Sequence, residues 1–317
     1  MAKYAFLFPG QGAQAPGMMK DIAEAYPCAK KVIDDVSSII NLDMAKLMWD
    51  SDMETLSRSD NSQIAITCAS IAIMAVLKEK GMEASAAMGF SLGEFPALYA
   101  AGVLSFEDVI KVVRQRGIIM QRVCEEIASK NEGHAPGMSA VLGLPPEKVK
   151  EVVASIKDAY AANMNSKVQT VVSGTFDALE KVEAAAKEAG ARRSVRLKVA
   201  GPFHCPLMQD AATEFEKVIS GVTFNDPKIH LFSNVTGKEV SKGEEAKKSA
   251  VLHLTHPVLW TDEEDILASV IKNEGGFENW KIFEAGPGSV LSGLWGKTEY
   301  SASLPAVSVN TVESIPE

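Results

Sequence analysis

Met88-Gly89-Phe90-Ser91-Leu92-Gly93-Glu94 sets a serine between two glycines in the pattern G-x-S-x-G. Before it, Ala84-Ser85-Ala86-Ala87-Met88 reads as a short buried strand; after it, Glu94 to Ala101 has helix-forming composition, with Gly102 as a stop. A serine at such a sharp strand-to-helix turn has its Oγ exposed, and glycines on either side remove the Cβ atoms that would clash across the turn. The stretch is therefore a candidate nucleophile elbow. It also fits an ordinary Gly-Ser-Gly turn, so the other motifs decide between the two.

Tyr4 to Phe8 reads as a buried first strand that runs into Pro9-Gly10-Gln11-Gly12-Ala13-Gln14. Gly10 and Gly12 let main chain approach a ligand closely, as an oxyanion hole or a phosphate cradle requires; a tight strand-to-helix turn uses them equally well. An amphipathic helix over Asp21 to Ile40, broken near Pro27, and a buried helix over Gln63 to Lys80 follow. Phe106 to Ile127 is a further helical pattern, and it carries Arg114, Arg116 and Arg122.

From Asn131 the texture changes. Strands at Met138 to Leu142, Tyr160 to Asn163, Gln169 to Val172 and Arg193 to Val199 alternate with helices over Glu147 to Lys157 and Phe176 to Ala189. That β-α-β-β-α-β order predicts a ferredoxin-like small domain over residues 131–199, inserted between residues 1–130 and 200–317 of a larger α/β domain. The larger domain is expected to hold a mostly parallel sheet with helices on both faces. Gly201-Pro202-Phe203-His204-Cys205-Pro206-Leu207-Met208 is a proline-bracketed loop, and its constraint makes His204 a better general-base candidate than His134, His230 or His256. The tail beyond Tyr300 has little periodicity and reads as a surface appendage.

A chain of 317 residues, 46% hydrophobic and 23% charged, has the composition of a soluble globular protein with a sizeable core. Its formal net charge of −9 argues against general nucleic-acid or anionic-membrane binding, both of which need a basic footprint. Cys28, Cys68, Cys124 and Cys205 are scattered without metal-ligand spacing, so neither a metal site nor a disulfide framework is expected, and a reducing cytoplasm fits best. No uninterrupted apolar run in the sequence reaches membrane-spanning length. A monomer is expected.

Taken together, Phe8 to Gln14, Gly89 to Glu94, Arg114-Gln115-Arg116-Gly117 with Met120-Gln121, Gly201 to His204, and Glu284-Ala285-Gly286-Pro287-Gly288 resemble the malonyl-CoA:acyl-carrier-protein transacylases of bacterial fatty acid synthesis. The resemblance spans nearly the whole chain, with five motifs in family order. It implies an α/β-hydrolase-like core carrying a ferredoxin-like insert. It further implies that Ser91 takes the malonyl group from malonyl-CoA, that His204 is its base, and that backbone N–H groups of Gln11 and Leu92 form the oxyanion hole. Arg116 matches the arginine that holds the malonyl carboxylate, and Phe203 a position tied to acyl selection. The partners implied are malonyl-CoA and acyl carrier protein, whose phosphopantetheine thiol receives the acyl group; no cofactor is bound permanently.

Two positions depart from the family pattern. Phe90 stands where many relatives have histidine, and His253 where many have glutamine with a backbone carbonyl that orients the base. A main-chain carbonyl survives a side-chain change, so that role can pass to His253. No acid between Ser91 and His204 lies in a distinctive motif, which favours a Ser-His dyad. Cys205 beside His204 is expected to be structural. Arg192, Arg193 and Arg196 are candidates for a basic patch facing an acidic carrier protein. The rival readings are an acyl hydrolase, a transacylase for another acyl chain, and a catalytically silent docking scaffold.

Overall fold

The computed structural model describes residues 2–131 and 133–317; Met1 and Glu132, the latter inside the expected insert, lie outside the described residues. β1 (Lys3–Phe8) and β2 (Ala84–Gly89) open the larger sheet. β3 (Gly137–Leu142), β4 (Ala159–Ser166), β5 (Gln169–Gly174) and β6 (Arg193–Arg196) make a separate one. β7 (His230–Ser233), β8 (Lys238–Glu239), β9 (Trp280–Ala285) and β10 (Ala306–Val309) return to the first.

The larger sheet runs β10-β9-β1-β2-β7-β8 and is parallel except where β8 turns back on β7. Its central strands are apolar along their length because both faces are covered. Alternate residues point to opposite faces, so Phe6, Phe8 and Ala87 enter one core while Ala5, Leu7, Ala86 and Met88 enter another. The first core is filled by the helix Ser59–Glu79 packed against Phe106–Lys130. Ser59–Glu79 is long and apolar enough to cross a membrane by length and composition, yet most of it is buried inside the protein, as a core helix is.

The second sheet, β4-β5-β3-β6, is antiparallel throughout. Pro146–Ala154 connects β3 to β4 and Phe176–Glu188 connects β5 to β6, and both pack on one side of it around Val149, Val172, Leu179 and Val182. Main chain ties β4 to the segment before the helix Trp260–Asn273: Val258 N–H donates to the Ala162 carbonyl at 2.8 Å and Met164 N–H to that of Val258 at 2.9 Å. The expected strand over Arg193 to Val199 ends at Arg196, because Lys198, Val199 and Ala200 leave the sheet edge to line a cleft between the sheets. The expected helix over Glu147 to Lys157 ends at Ala154.

The tail is a correction to the sequence reading. It is not a surface appendage: Ala306–Val309 pairs in parallel with β9 as the edge strand β10, with Val309 fully buried. Trp295 Nε1–H, in the interior, donates to the Leu304 carbonyl at 2.6 Å. A four-residue edge strand shows too little alternation to register as a period.

Candidate active site

The segments that leave the C-terminal ends of β1 and β2 line the cleft between the sheets, the usual place for a site in a parallel sheet, and the segment after β7 bonds to Ser91 from outside it. At the end of β2 the chain turns so tightly that a Cβ on Gly89 would lie 1.9 Å from the Gly93 carbonyl oxygen, and one on Gly93 would lie 1.9 Å from that of Phe8. Only glycine fits either place. Between them Ser91 takes a left-handed backbone with φ +53°, a conformation that costs a non-glycine residue about 1–3 kcal/mol and persists only where the surroundings impose it. Phe90 N–H donates to the Phe8 carbonyl at 3.0 Å, and the helix Glu94–Ala100 starts directly afterwards.

Ser91 Oγ stands 2.8 Å from His204 Nε2. The other ring nitrogen, Nδ1, lies 2.8 Å from the His253 main-chain carbonyl. A carbonyl only accepts, so Nδ1 carries the proton and Nε2 is left to accept from the serine hydroxyl. His204 is itself left-handed, φ +59°, in the loop bracketed by Pro202 and Pro206. Burial first, and the positive charge of Arg116 second, pull its pKa from 6.5 down to about 4, so the imidazole is neutral at physiological pH, as a proton acceptor must be. No carboxylate among the described residues hydrogen-bonds to it.

Arg116 projects from the helix Phe106–Lys130 and is 1% exposed. Its Nη1 donates to Gln63 Oε1 at 2.7 Å, and its guanidinium lies 5.3 Å from the centre of the Phe95 ring. Nε and Nη2 have no partner among the described residues. Burial draws its pKa down to about 10, with Glu94 opposing, and the group stays cationic at neutral pH. A buried cation with two uncommitted N–H donors is an anion receptor, and its planar fork suits a carboxylate.

These groups share a cleft of about 230 Å³, with Gln11, Ser91, Arg116, Phe203 and His204 on one wall and Met138, Asn163 and Val171 of the antiparallel sheet on the other. The main-chain N–H groups of Gln11 and Leu92 donate to no acceptor among the described residues. Phe90, on the cleft wall, sets its ring edge-on to the buried Trp260 at 5.4 Å, so the residue that departs from the family pattern is held by aromatic packing.

Residues 5–273 match the acyl transferase domain family. The chain is 35% identical to the malonyl CoA-acyl carrier protein transacylase of Bacillus subtilis, over 99% of its own length and 96% of that protein's. It is 34% identical to the protein of the same name from Escherichia coli K12, over 93% and 92%. The chain belongs to the malonyl CoA-acyl carrier protein transacylase family. It is an acyltransferase, and the fold agrees. The crystal structure of an acyl carrier protein S-malonyltransferase from Vibrio cholerae superposes with a TM-score of 0.89 at 34% identity, covering 99% of this chain and 98% of that one. A malonyl-transacylase solved in complex with a type II PKS acyl-carrier protein superposes with a TM-score of 0.86 at 33% identity, covering 99% and 97%.

Other residues weighed from sequence lie apart. His230 sits between Glu239 and Glu274 at the opposite end of the strands, His256 bonds the Leu252 carbonyl, and His134 is exposed. The Cys205 thiol donates to the Pro202 carbonyl at 3.1 Å, and burial pushes its pKa up to about 12, so it is no nucleophile in a transacylase of this kind. Arg196 is engaged by Glu183 and lies over Phe176, whereas Arg192 and Arg193 are exposed.

Sequence reading missed Gln63, Glu94, Asn234 and Glu263, all buried and all bonded into the site. In the sequence Gln63 stands only as the start of a helix, and Asn234 lies in no motif. The available signal was position. Asn234 follows β7, the strand next to the elbow strand, as Ser91 follows β2.

Proposed function

We propose that this acyltransferase moves the malonyl group from malonyl-CoA to the phosphopantetheine thiol of acyl carrier protein through an acyl-enzyme on Ser91. The observation that carries the reading is a serine hydroxyl 2.8 Å from a neutral imidazole, in one cleft with a buried arginine whose Nε and Nη2 are uncommitted. Ser91 gives its proton to His204 Nε2 as Oγ bonds to the thioester carbon. The carbon–sulfur bond then breaks, and Nε2 returns the proton to the departing coenzyme A thiol. The carrier thiol enters by the reverse path: His204 takes its proton, the sulfur bonds to the acyl carbon, and Ser91 Oγ leaves with that proton.

The free N–H groups of Gln11 and Leu92 form the oxyanion hole. Arg116 holds the malonyl carboxylate, the His253 carbonyl keeps the proton of His204 on Nδ1, and Phe90 and Phe203 shape the acyl pocket. Arg192 and Arg193 face the carrier protein, and charge reversal at both should raise KM for the carrier but not for malonyl-CoA. Residues 1–130 and 200–317 form an α/β-hydrolase-like catalytic domain and residues 131–199 a ferredoxin-like one, a division supported by the separate sheets and their separate cores. We assign the reaction to the cytoplasm, consistent with four free cysteines.

Incubation with malonyl-CoA and holo carrier protein, followed by mass spectrometry of the carrier, tests the reading. Malonyl carrier is expected. Free malonate with an unmodified carrier would make the protein a hydrolase, and an unconsumed donor would return it to a docking scaffold.

A further inference from the structure

Asn234 is fully buried, and all four hydrogen-bonding positions of its side-chain amide are filled. Oδ1 accepts from the main-chain N–H of Ser91 at 2.6 Å and lies 2.8 Å from His253 Nε2. Nδ2 donates to the Gly89 carbonyl at 2.8 Å and to Glu263 Oε1 at 2.7 Å, while the main-chain N–H of Asn234 donates to Glu94 Oε2 at 2.9 Å. The orientation of the amide has no ambiguity, because Ser91 N–H demands an acceptor and the Gly89 carbonyl demands a donor. It follows that His253 Nε2 is protonated and donates to Oδ1. Burial holds the His253 pKa well below 6.5, so the ring is neutral and its Nδ1 carries no proton; that atom has no partner among the described residues.

These bonds close a ring. Ser91 Oγ meets His204 Nε2, His204 Nδ1 meets the carbonyl of His253, the imidazole of that same His253 meets Asn234, and Asn234 meets the amide of Ser91. The place of Asn234 in the sheet explains how one side chain can do this. Pairing between β2 and β7 stops at Ala87 and Leu231, and beyond that point the Asn234 amide takes over the bonding to the elbow, on both sides of Phe90. It grips the left-handed Ser91 and, through the imidazole of His253, the end of the helix Gly243–Leu252 that presents the carbonyl to His204.

We propose that Asn234 is a positioning residue for the transfer reaction, holding the nucleophile and the carbonyl that orients its base in register, with the His253 side chain as its link to the base. The inference rests on the Ser91 acyl-enzyme reading above. The effect should fall on rate rather than on donor binding, since Asn234 does not line the cleft. A glutamine at position 253 presents its amide nitrogen about where the imidazole Nε2 lies, so it can donate to the same oxygen; leucine cannot.

The test is the single-turnover rate of Ser91 acylation by malonyl-CoA, followed by intact mass across a pH series, alongside melting temperature. Asn234→Ala should slow acylation about 100-fold with KM changed less than about threefold, and should move the acid limb of the rate profile as the His204 Nδ1 bond loosens. His253→Leu should show the same slowing, His253→Gln should recover most of it, and the Asn234→Ala/His253→Leu double variant should be no slower than Asn234→Ala alone. Multiplying losses in the double variant, or acylation of Asn234→Ala within about threefold of the parent with an unmoved pH profile, would overturn the inference. If Asn234→Ala does not fold, the position-253 pair decides: equal losses for leucine and glutamine would sink the link. A parent enzyme that takes no malonyl on Ser91 overturns the proposed function instead.

Discussion

Replacing Arg116 by methionine removes the one buried cation among the described residues that line the cleft, the group proposed to tell a malonyl from an acetyl group by charge. In the structure Nη1 is committed to Gln63, which leaves Nε and Nη2 for a ligand. Hydrogen bonds to charged groups contribute about 1.5–3 kcal/mol each, so two of them make a gross contribution of about 3–6 kcal/mol. Stripping water from the incoming carboxylate offsets part of this, and a net of about 3 kcal/mol corresponds to a preference of roughly 150-fold. Arg116→Met should therefore lower the malonyl-over-acetyl ratio of acylation by about 100-fold, chiefly by losing malonyl. Arg116→Lys should fall between, because an ammonium cannot form the two parallel bonds. The assay is a competition between malonyl-CoA and acetyl-CoA in a single turnover, with the acyl group on Ser91 read by intact mass. A methionine variant that folds and keeps the parent ratio would refute the assignment of Arg116 to the carboxylate.

The same variant carries a second signature. His204 is held near pKa 4 by burial and then by Arg116, so kcat/KM should stay level as pH falls from 7 to below 6, and in Arg116→Met the acid limb should move up toward the ordinary value of 6.5. An unmoved limb in a pH–rate titration would deny that Arg116 acts on the base. At the far end of the sheet, burial pulls the His230 pKa down, but the hydrogen bonds that the protonated ring donates to Glu274 and Glu239 outweigh it and raise it above 6.5, with Lys3 also on Glu274. A raised folded pKa gives stability that is complete below 6.5 and is lost as pH climbs through the folded value. The melting-temperature gap between the parent and His230→Gln should therefore shrink above that pH, and a gap that widens would contradict the pairing. Phe90→Ala loses the edge-on contact with Trp260 and should destabilise by about 2 kcal/mol in denaturant melts, against no change if the ring is idle. Ending the chain after Tyr300 deletes β10 and strips Trp295 of its acceptor, so cooperative unfolding should be lost; an unchanged thermal transition would show the strand dispensable.

The elbow was legible because Gly89 is dictated by a contact within five residues, its close packing on Gly93, which writes itself into sequence as G-x-S-x-G; Gly93 itself is required by the carbonyl of Phe8, a contact that no local pattern shows. The β-α-β-β-α-β order over residues 137–196 was legible because every element but the four-residue β6 is long enough to show a period, and the helices and strands fall within a few residues of where alternation placed them. His204 stood out through its flanking prolines. Gln63, Glu94, Asn234 and Glu263 carried no such mark. Asn234 meets Ser91 across 143 residues of chain, and Gln63 meets Arg116 across 53, so no local pattern encodes either contact. Buried polar residues are bonded by partners that only the fold supplies, and read singly they resemble turn or helix residues. The side chain of His253 is a mixed case. Its carbonyl role followed from resemblance, whereas its bond to Asn234 became visible only once both were placed.

The proposed function rests on Ser91, activated by His204, as the carrier of the acyl group. The most direct measurement is peptide mapping by mass spectrometry after brief acid quench of the enzyme with malonyl-CoA, in the parent, Ser91→Ala and His204→Ala. The account predicts one malonyl group on the peptide containing Ser91 in the parent, its loss as malonyl carrier on adding holo carrier protein, none in Ser91→Ala, and formation slowed by about 10³-fold or more in His204→Ala. A malonyl group on any other residue, or transfer that persists in Ser91→Ala, would contradict it.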